Sequence, residues 1–118
     1  MIKLVESVHY EIYKEYEIVF LKIKSSDKRI PIGDFYGDVE KVIISPTEKY
    51  CIMAGCGVII YQLKEPYVPY EYEKTTNQWK EWYRDGRVWI VDIVLQNDIL
   101  TMQMETGEEK KISLKTIF

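Results

Sequence analysis

Two short apolar runs on either side of a Gly-Cys-Gly sequence constrain the fold of this chain more than any other feature. Residues 49–54 and 58–63 each have the length of one strand, and the residues between them, 55–57, are typical of a tight loop. Both runs are apolar at successive positions, so both faces of the hairpin need cover. We predict a central sheet with neighbours on both sides. The strand pairs expected are Ala54 with Val58, Ile52 with Ile60 and Cys51 with Tyr61.

Turn residues divide the sequence before this hairpin into further strands. Residues 39–45 form the first strand of the same meander, and Pro46 predicts a type I turn after it. Residues 3–14 alternate in part and are predicted as one strand, followed by a second strand over 17–24. Residues 28–38 contain proline and glycine, so we expect a loop with at most a short edge strand.

The last third of the chain predicts a second meander. Residues 87–96 are nearly continuously apolar, and Asn97-Asp98 fits a two-residue turn. A three-residue loop over 105–107, with Gly107 left-handed, keeps Ile112 on the apolar face of the next hairpin, because a slip of one residue would reverse the faces. The pairs expected across the first turn are Leu95 with Leu100, Ile93 with Met102 and Val91 with Met104.

One short helix is predicted at about residues 76–85. Thr75 and Gln78 have the spacing of a capping box, and Gly86 would end the helix in the left-handed conformation. The expected fold is therefore mainly β: an antiparallel β-sandwich or half-barrel built from two meanders, as a single domain over residues 1–118. The aromatic face of the helix would consist of Trp79, Trp82 and Tyr83.

Composition excludes several classes of function. The net charge is −3 and the pI about 5.2, which argues against general binding of nucleic acid phosphates. No apolar run approaches the roughly 18 residues of a membrane span. The first residues lack the apolar region and cleavage site of a signal peptide, so we expect a cytoplasmic protein without a membrane partner.

No residue pattern predicts catalysis, a metal site or a cofactor. His9 is the only histidine, so neither a histidine pair nor a histidine cluster exists. Cys51 and Cys56 are too far apart along a strand and loop for a disulfide, and a second cysteine pair for zinc is missing. We therefore expect two buried free thiols in a protein that is not an enzyme.

Asp92 is unusual because it interrupts the apolar run of residues 87–96. A carboxylate in a covered strand needs a partner or keeps its proton. Such a residue more often faces a sheet edge or meets an arginine, and Arg84 and Arg87 are the candidate partners. A catalytic role for Asp92 is the less favoured alternative.

The strongest candidate for a binding site is the segment 65–73. Its prolines keep it extended, which lowers the entropy lost on binding, and tyrosines are favoured anchors of protein interfaces. Two readings stay open: the tyrosines contact a partner, or they fold back over the sheet. The residues predicted to bind a partner are Glu65, Tyr67, Tyr70, Glu71, Tyr72 and Glu73.

A pattern of turns and aromatic residues runs from about residue 39 to residue 105. Its stretches are Ser45-Pro46-Thr47-Glu48-Lys49-Tyr50, Ala54-Gly55-Cys56-Gly57-Val58-Ile59-Ile60-Tyr61, Glu65-Pro66-Tyr67, Gln78-Trp79 and Trp89-Ile90. This pattern resembles small immunity proteins encoded beside the toxins of bacterial contact-dependent inhibition and related polymorphic toxin systems. The resemblance implies a cytosolic protein that binds one cognate toxin and blocks its active site. Many such toxins are nucleases with basic clefts, which carboxylates would suit.

Three alternatives predict different structures. A protein that binds a small ligand would have a deep apolar cavity beneath Trp79 and Trp82. An enzyme that uses Asp92 or another carboxylate would have a concave polar pocket around a perturbed carboxylate. A structural subunit of a phage or secretion assembly would expose a large apolar patch.

Overall fold

The chain forms three antiparallel sheets, and the computed structural model describes all of residues 1–118. The elements are β1 (Ile2–Glu6), β2 (Tyr10–Glu15), β3 (Ile18–Ile23), β4 (Arg29–Asp34), β5 (Lys41–Ile44), β6 (Tyr50–Gly55), β7 (Gly57–Gln62), β8 (Trp79–Trp82), β9 (Ile90–Gln96), β10 (Ile99–Met104), β11 (Glu109–Ser113) and α1 (Leu114–Ile117). The first sheet has the order β1-β2-β3-β4, the central sheet β5-β6-β7-β8 and the third sheet β11-β10-β9. The predicted mainly β, antiparallel architecture is confirmed.

The central sheet is covered on both faces, as predicted, because its side chains are apolar at successive positions. One core lies between the first and central sheets, and a second core lies between the central and third sheets. Each buried isoleucine contributes about 1.5–3 kcal/mol through removal of apolar surface from water. The predicted pairs Ala54–Val58, Ile52–Ile60 and Cys51–Tyr61 are all confirmed.

The tight loop between β6 and β7 needs glycine at position 57. Gly57 has a φ of +90°, in the left-handed region. A Cβ at this position would lie 2.6 Å from the Tyr83 main-chain oxygen and 2.8 Å from the Trp82 main-chain oxygen. The chain that follows β8 therefore packs directly onto this turn.

The C-terminal meander has most of its predicted register. Asn97 and Asp98 form the turn with φ values of 52° and 63°, and Gly107 is left-handed in the predicted three-residue loop. The pairs Leu95–Leu100 and Ile93–Met102 are confirmed. One predicted pair is wrong: Met104 lies opposite Ile90, not Val91, because a β-bulge shifts the register. Val91 is exposed as a result.

The predicted helix over residues 76–85 is wrong, and strand β8 occupies the middle of that segment. Strand β7 has a free edge, and tryptophan favours strands, so the segment pairs with β7. In a strand, residues three apart lie on opposite faces. Trp79 therefore enters the first core, whereas Trp82 packs against the second. The only helix is α1, with four residues, and no helix is long and apolar enough to cross a membrane.

The N-terminal strand is also divided differently from the prediction. Residues 3–14 form two strands, β1 and β2, joined by a turn at residues 7–9. Val8 is consequently exposed in the turn and does not share a face with Tyr10. The strand predicted over 17–24 is confirmed as β3, and β4 is an edge strand that contains Pro31.

Candidate interaction surface

The predicted binding segment, residues 65–73, lies in the connection between β7 and β8, and its first part folds back over the first core. The hydroxyls of Tyr67 and Tyr10 are 2.8 Å apart. Tyr70 is buried against the Trp79 ring, and its main-chain N–H donates to the Pro31 oxygen at 2.8 Å. The Tyr61 hydroxyl donates to the Val68 oxygen at 2.7 Å. These contacts assign a packing role to this part of the segment.

The second part of the segment turns outward. The side chain of Tyr72 is 58% exposed, and Glu71 and Glu73 are exposed on either side of it. Glu65, at the start of the segment, is also exposed. The structure therefore divides the tyrosines: Tyr67 and Tyr70 fold back, whereas Tyr72 is exposed, and contact with a partner stays a prediction for Tyr72.

Tyr72 lines a cleft of about 700 Å³, which we call the tyrosine cleft. The cleft brings together the β2–β3 turn, the end of β4, the β6–β7 turn and the chain after β8, segments that are far apart in the sequence. Its lining consists of Glu17, Asp34, Phe35, Tyr36, Cys56, Tyr72, Arg84, Asp85 and Gly86. Of the six residues predicted to bind a partner, only Tyr72 belongs to it.

Arg84 joins three of these segments: the end of β4, the β6–β7 turn and the chain after β8, to which it belongs. Its Nη1 donates to the Cys56 oxygen at 2.8 Å, Nη2 donates to the Asp34 main-chain oxygen, and Nε donates to Glu81 Oε1 at 3.0 Å. The guanidinium carbon lies 4.6 Å from the centroid of the Phe35 ring. The side chain is only 12% exposed, and the Glu81 carboxylate compensates its charge. Arg84 therefore fixes the geometry of the cleft from below.

Tyr70 supports the same ion pair from the core side. Its hydroxyl donates to Glu81 Oε1 at 2.7 Å, the oxygen that also accepts from Arg84. Burial, reinforced by this hydrogen bond, raises the pKa of the Tyr70 hydroxyl, so the group stays a proton donor. The fold-back of Tyr70 thereby connects the predicted binding segment to the floor of the tyrosine cleft.

The rim of the tyrosine cleft combines aromatic rings with carboxylates. Tyr36 is 78% exposed, so its ring is accessible to a partner. Glu17, Asp34 and Asp85 are exposed carboxylate residues of the same lining. Rings and carboxylates together favour a cationic group, through the faces of the rings and through charge.

Glu65 and Tyr67 lie at a second cleft, of about 710 Å³. This cleft separates the β3–β4 turn from the beginning of the binding segment, and it also contains the cationic Lys28. Its remaining lining residues are Ile23, Ser25, Ser26, Ile30 and Pro66. The six predicted residues are thus distributed over two surfaces and the core.

A cluster of Ser7, His9 and Glu48 was not predicted from the sequence. Glu48 accepts from the Ser7 hydroxyl and from the His9 amide at 2.9 Å, and its Oε1 lies 2.6 Å from His9 Nδ1. Hydrogen bonds from the His9 ring, Ser7 and the His9 amide lower the pKa of Glu48 to about 2. The serine contacts the carboxylate and not the imidazole, which is not the order of a nucleophilic triad. The cluster joins the β1–β2 turn to the β5–β6 turn.

Asp92 lies in a different environment from the one predicted. Its strand, β9, is an edge strand of the third sheet, so the side chain is 49% exposed and not covered. Its partner is Lys41, at 2.6 Å, rather than an arginine. The Lys41 hydrogen bond holds the pKa of the Asp92 carboxyl below its usual value. The predicted covered position and arginine partner are therefore wrong, whereas the alternative of a residue at a sheet edge is confirmed.

Two further predictions concern the cysteines and the tryptophans. Cys51 and Cys56 are buried with free thiols, as expected, and no group of three His, Cys, Asp or Glu side chains is arranged to hold a metal ion. Trp79 packs between Tyr61 and Tyr70, with ring centroids 6.2 and 5.0 Å away. These rings occupy the space beside Trp79 that the small-ligand alternative requires.

Comparison of the chain with protein-family models, curated proteins and solved structures finds no match.

Proposed function

We propose that this chain binds one partner protein through the tyrosine cleft, and that the partner is a bacterial toxin whose active site the chain blocks. The single observation that carries the binding proposal is the pair of exposed tyrosines, Tyr36 and Tyr72, beside a cleft whose geometry the partly buried Arg84 fixes. Exposed rings on a rigid support lose little entropy when they become buried in an interface.

The surface around the cleft is where we place the protein partner. A standard interface buries roughly 800 Å² on each side, which is roughly one ninth of the 6942 Å² surface of this chain. The rim tyrosines, the exposed end of the binding segment and the turn at Gly86 surround the concave centre of this proposed interface. The exposed tyrosines agree with the enrichment of aromatic residues in such interfaces, and the exposed carboxylates agree with their polar edge.

The toxin part of the proposal is supported by the resemblance to immunity proteins of contact-dependent inhibition. Several of the residues that carry this resemblance build the scaffold of the cleft: Gly57 makes its turn, Cys56 lines it, and Trp79 packs beneath Tyr70. In this proposal the chain acts in the cytoplasm, without catalysis, as a stoichiometric inhibitor.

The first experiment is a pull-down with the tagged full-length chain from its native cell, followed by mass spectrometry. We expect one larger protein with a toxin domain, held in a one-to-one complex through high salt. The toxin domain, expressed alone, should arrest growth, and co-expression of this chain should restore growth. Recovery of the chain alone, or growth arrest that the chain does not relieve, would overturn the proposal.

A matched pair of variants then places the interface. Tyr72→Ala removes an exposed ring of the cleft, whereas Tyr16→Ala removes a still more exposed ring from the β2–β3 turn, outside the lining. Isothermal titration calorimetry with the captured partner should show about a tenfold or greater loss of affinity for Tyr72→Ala, a typical value for an anchor residue. Equal affinities of the two variants would move the interface away from the cleft.

A further inference from the structure

The charge distribution of the tyrosine cleft is one-sided once the internal contacts of Arg84 are taken into account. Its guanidinium donates from Nε, Nη1 and Nη2 to three oxygens of the chain, and Glu81 compensates its charge. Arg84 takes only the main-chain oxygen of Asp34 and leaves the carboxylate exposed. What the cleft offers to an incoming group is therefore negative charge and the faces of two tyrosine rings.

Within the chain, Arg84 already makes the two kinds of contact that an incoming cationic group would make in the cleft. Arg84 lies over the ring of Phe35 and donates to the carboxylate of Glu81. The outer part of the cleft repeats these components with open positions: Tyr36 and Tyr72 supply rings, and Asp34 supplies the carboxylate. A second guanidinium is the group that fits this repeat, because it is planar, weakly hydrated and able to stack and to pair with a carboxylate together.

We propose that the tyrosine cleft receives one arginine side chain of the partner protein, stacked against Tyr36 and Tyr72 and paired with Asp34. This inference rests on the proposed function, since it names the group by which the partner is recognised. Asp85 and Glu17 add negative potential at the rim. Asp85 also contacts Arg87 at 3.6 Å, in an exposed pair that an incoming guanidinium can displace.

Anionic occupants fit the same cleft poorly. A phosphate or carboxylate ligand needs free donors, and the cationic group of this lining has already committed donors from all three of its nitrogens. Three carboxylate residues on the lining would repel an anion. The charge of the cleft thus selects a basic surface on the partner.

The test is a nuclear magnetic resonance titration of the ¹⁵N-labelled full chain with acetyl-arginine-amide. The probe for the control is acetyl-citrulline-amide, which has nearly the same shape and no charge. We expect saturable shifts for the amides of Gly37, Cys56 and Gly86 with the arginine probe, and much weaker shifts with citrulline. Equal responses to the two probes, or shifts scattered over the three sheets, would overturn the inference.

Variants tie the response to named side chains. Asp34→Asn and Tyr36→Ala should each weaken binding of the arginine probe by about two- to fivefold, the range for an exposed ion pair or cation–π contact. Glu108→Gln, an exposed carboxylate outside the cleft lining, should leave binding unchanged. If Asp34→Asn binds the probe as tightly as Glu108→Gln does, the assignment of the carboxylate is wrong.

The same variants separate this inference from the proposed function. If the captured partner binds the wild-type chain but is insensitive to Asp34→Asn and Tyr36→Ala, the arginine inference fails and the toxin proposal stands. If the arginine probe binds at the cleft but no partner is recovered, the toxin proposal fails while the chemistry of the cleft is retained.

Discussion

The β6–β7 pair and the rim of the tyrosine cleft meet at Gly57, yet they are built on opposite principles. The strand pair is buried on both faces, and its register follows from the local sequence. The rim consists of exposed residues from segments far apart in the sequence, and Arg84, not the local sequence, joins the end of β4 to the chain after β8. We therefore expect substitutions in the β6–β7 pair to change stability and substitutions on the rim to change binding. Substitutions where the two regions meet should change both.

The largest effect is expected at the junction itself, for Gly57→Ala. The new Cβ would meet two main-chain oxygens below 3 Å, and alanine disfavours a φ of +90°. We expect a loss of about 3–5 kcal/mol in the free energy of unfolding, measured by urea denaturation.

Gly86→Ala is the matched control for this prediction. Gly86 has a similar φ, +86°, but a Cβ there meets nothing within 4 Å. It should lose only about 1–2 kcal/mol, the cost of the left-handed conformation alone. Equal losses for the two variants would show that the close approach of Trp82 and Tyr83 to the turn does not matter.

Arg84→Lys should have the next largest effect and should change both properties. Lysine cannot keep all the donors that reach the Cys56 and Asp34 oxygens, nor stack in the same way on Phe35. We expect a loss of about 1–3 kcal/mol in stability, together with weaker partner binding, because the cleft loses its support.

The control for this variant is Arg87→Lys. The Arg87 side chain is almost fully exposed, so stability should stay within about 0.5 kcal/mol of wild type. Unfolding is followed by tryptophan fluorescence in urea, and binding by calorimetry with the captured partner. If Arg84→Lys is destabilised but binds the partner with wild-type affinity, Arg84 does not support the cleft for binding.

The same contrast explains what could be predicted from the sequence. The register of β6–β7 and the turn at Asn97-Asp98 follow from residues next to each other, and both predictions are confirmed. The helix prediction failed because the free edge of β7, about twenty residues earlier, decides the conformation of Trp79 and Trp82. The turn at residues 7–9 was missed because its partner, Glu48, lies about forty residues away.

The tyrosine cleft could not be predicted from the sequence for the same reason. Tyr72 stands out in the sequence because it lies in an acidic, proline-bounded segment. Tyr36 carries no such signal, and its proximity to Tyr72 depends on how the end of β4 meets the chain after β8. Arg84 was a candidate partner of Asp92, whereas in the structure it supports the cleft. The sequence predicts which residue types a surface carries, but not which distant segments come together to form it.

A further prediction concerns Glu48, which joins the β1–β2 turn to the β5–β6 turn, away from the tyrosine cleft. Its folded pKa, about 2, is below the unfolded value of about 4.5, so its contribution is present above pH 4.5 and is lost as the pH falls toward 2. We expect the melting temperature of the wild type to fall between pH 5 and pH 2 by more than that of Glu48→Gln. If the melting temperatures of the two proteins fall by the same amount with pH, Glu48 does not contribute to the loss of stability in acid.

The smallest effect is expected for Asp92→Asn, although the sequence made Asp92 the most unusual residue of its strand. Its ion pair with Lys41 is about half exposed at both side chains, and solvent screens such pairs. Because Lys41 lowers the pKa of Asp92, any stabilisation is present above the unfolded pKa and disappears as the pH falls through the folded value. We therefore expect the urea midpoint of Asp92→Asn to match the wild type at pH 7. A shift as large as that of Arg84→Lys would mean that a contact between sheet edges holds the third sheet in place, and that exposure is a poor guide to which side chains this fold depends on.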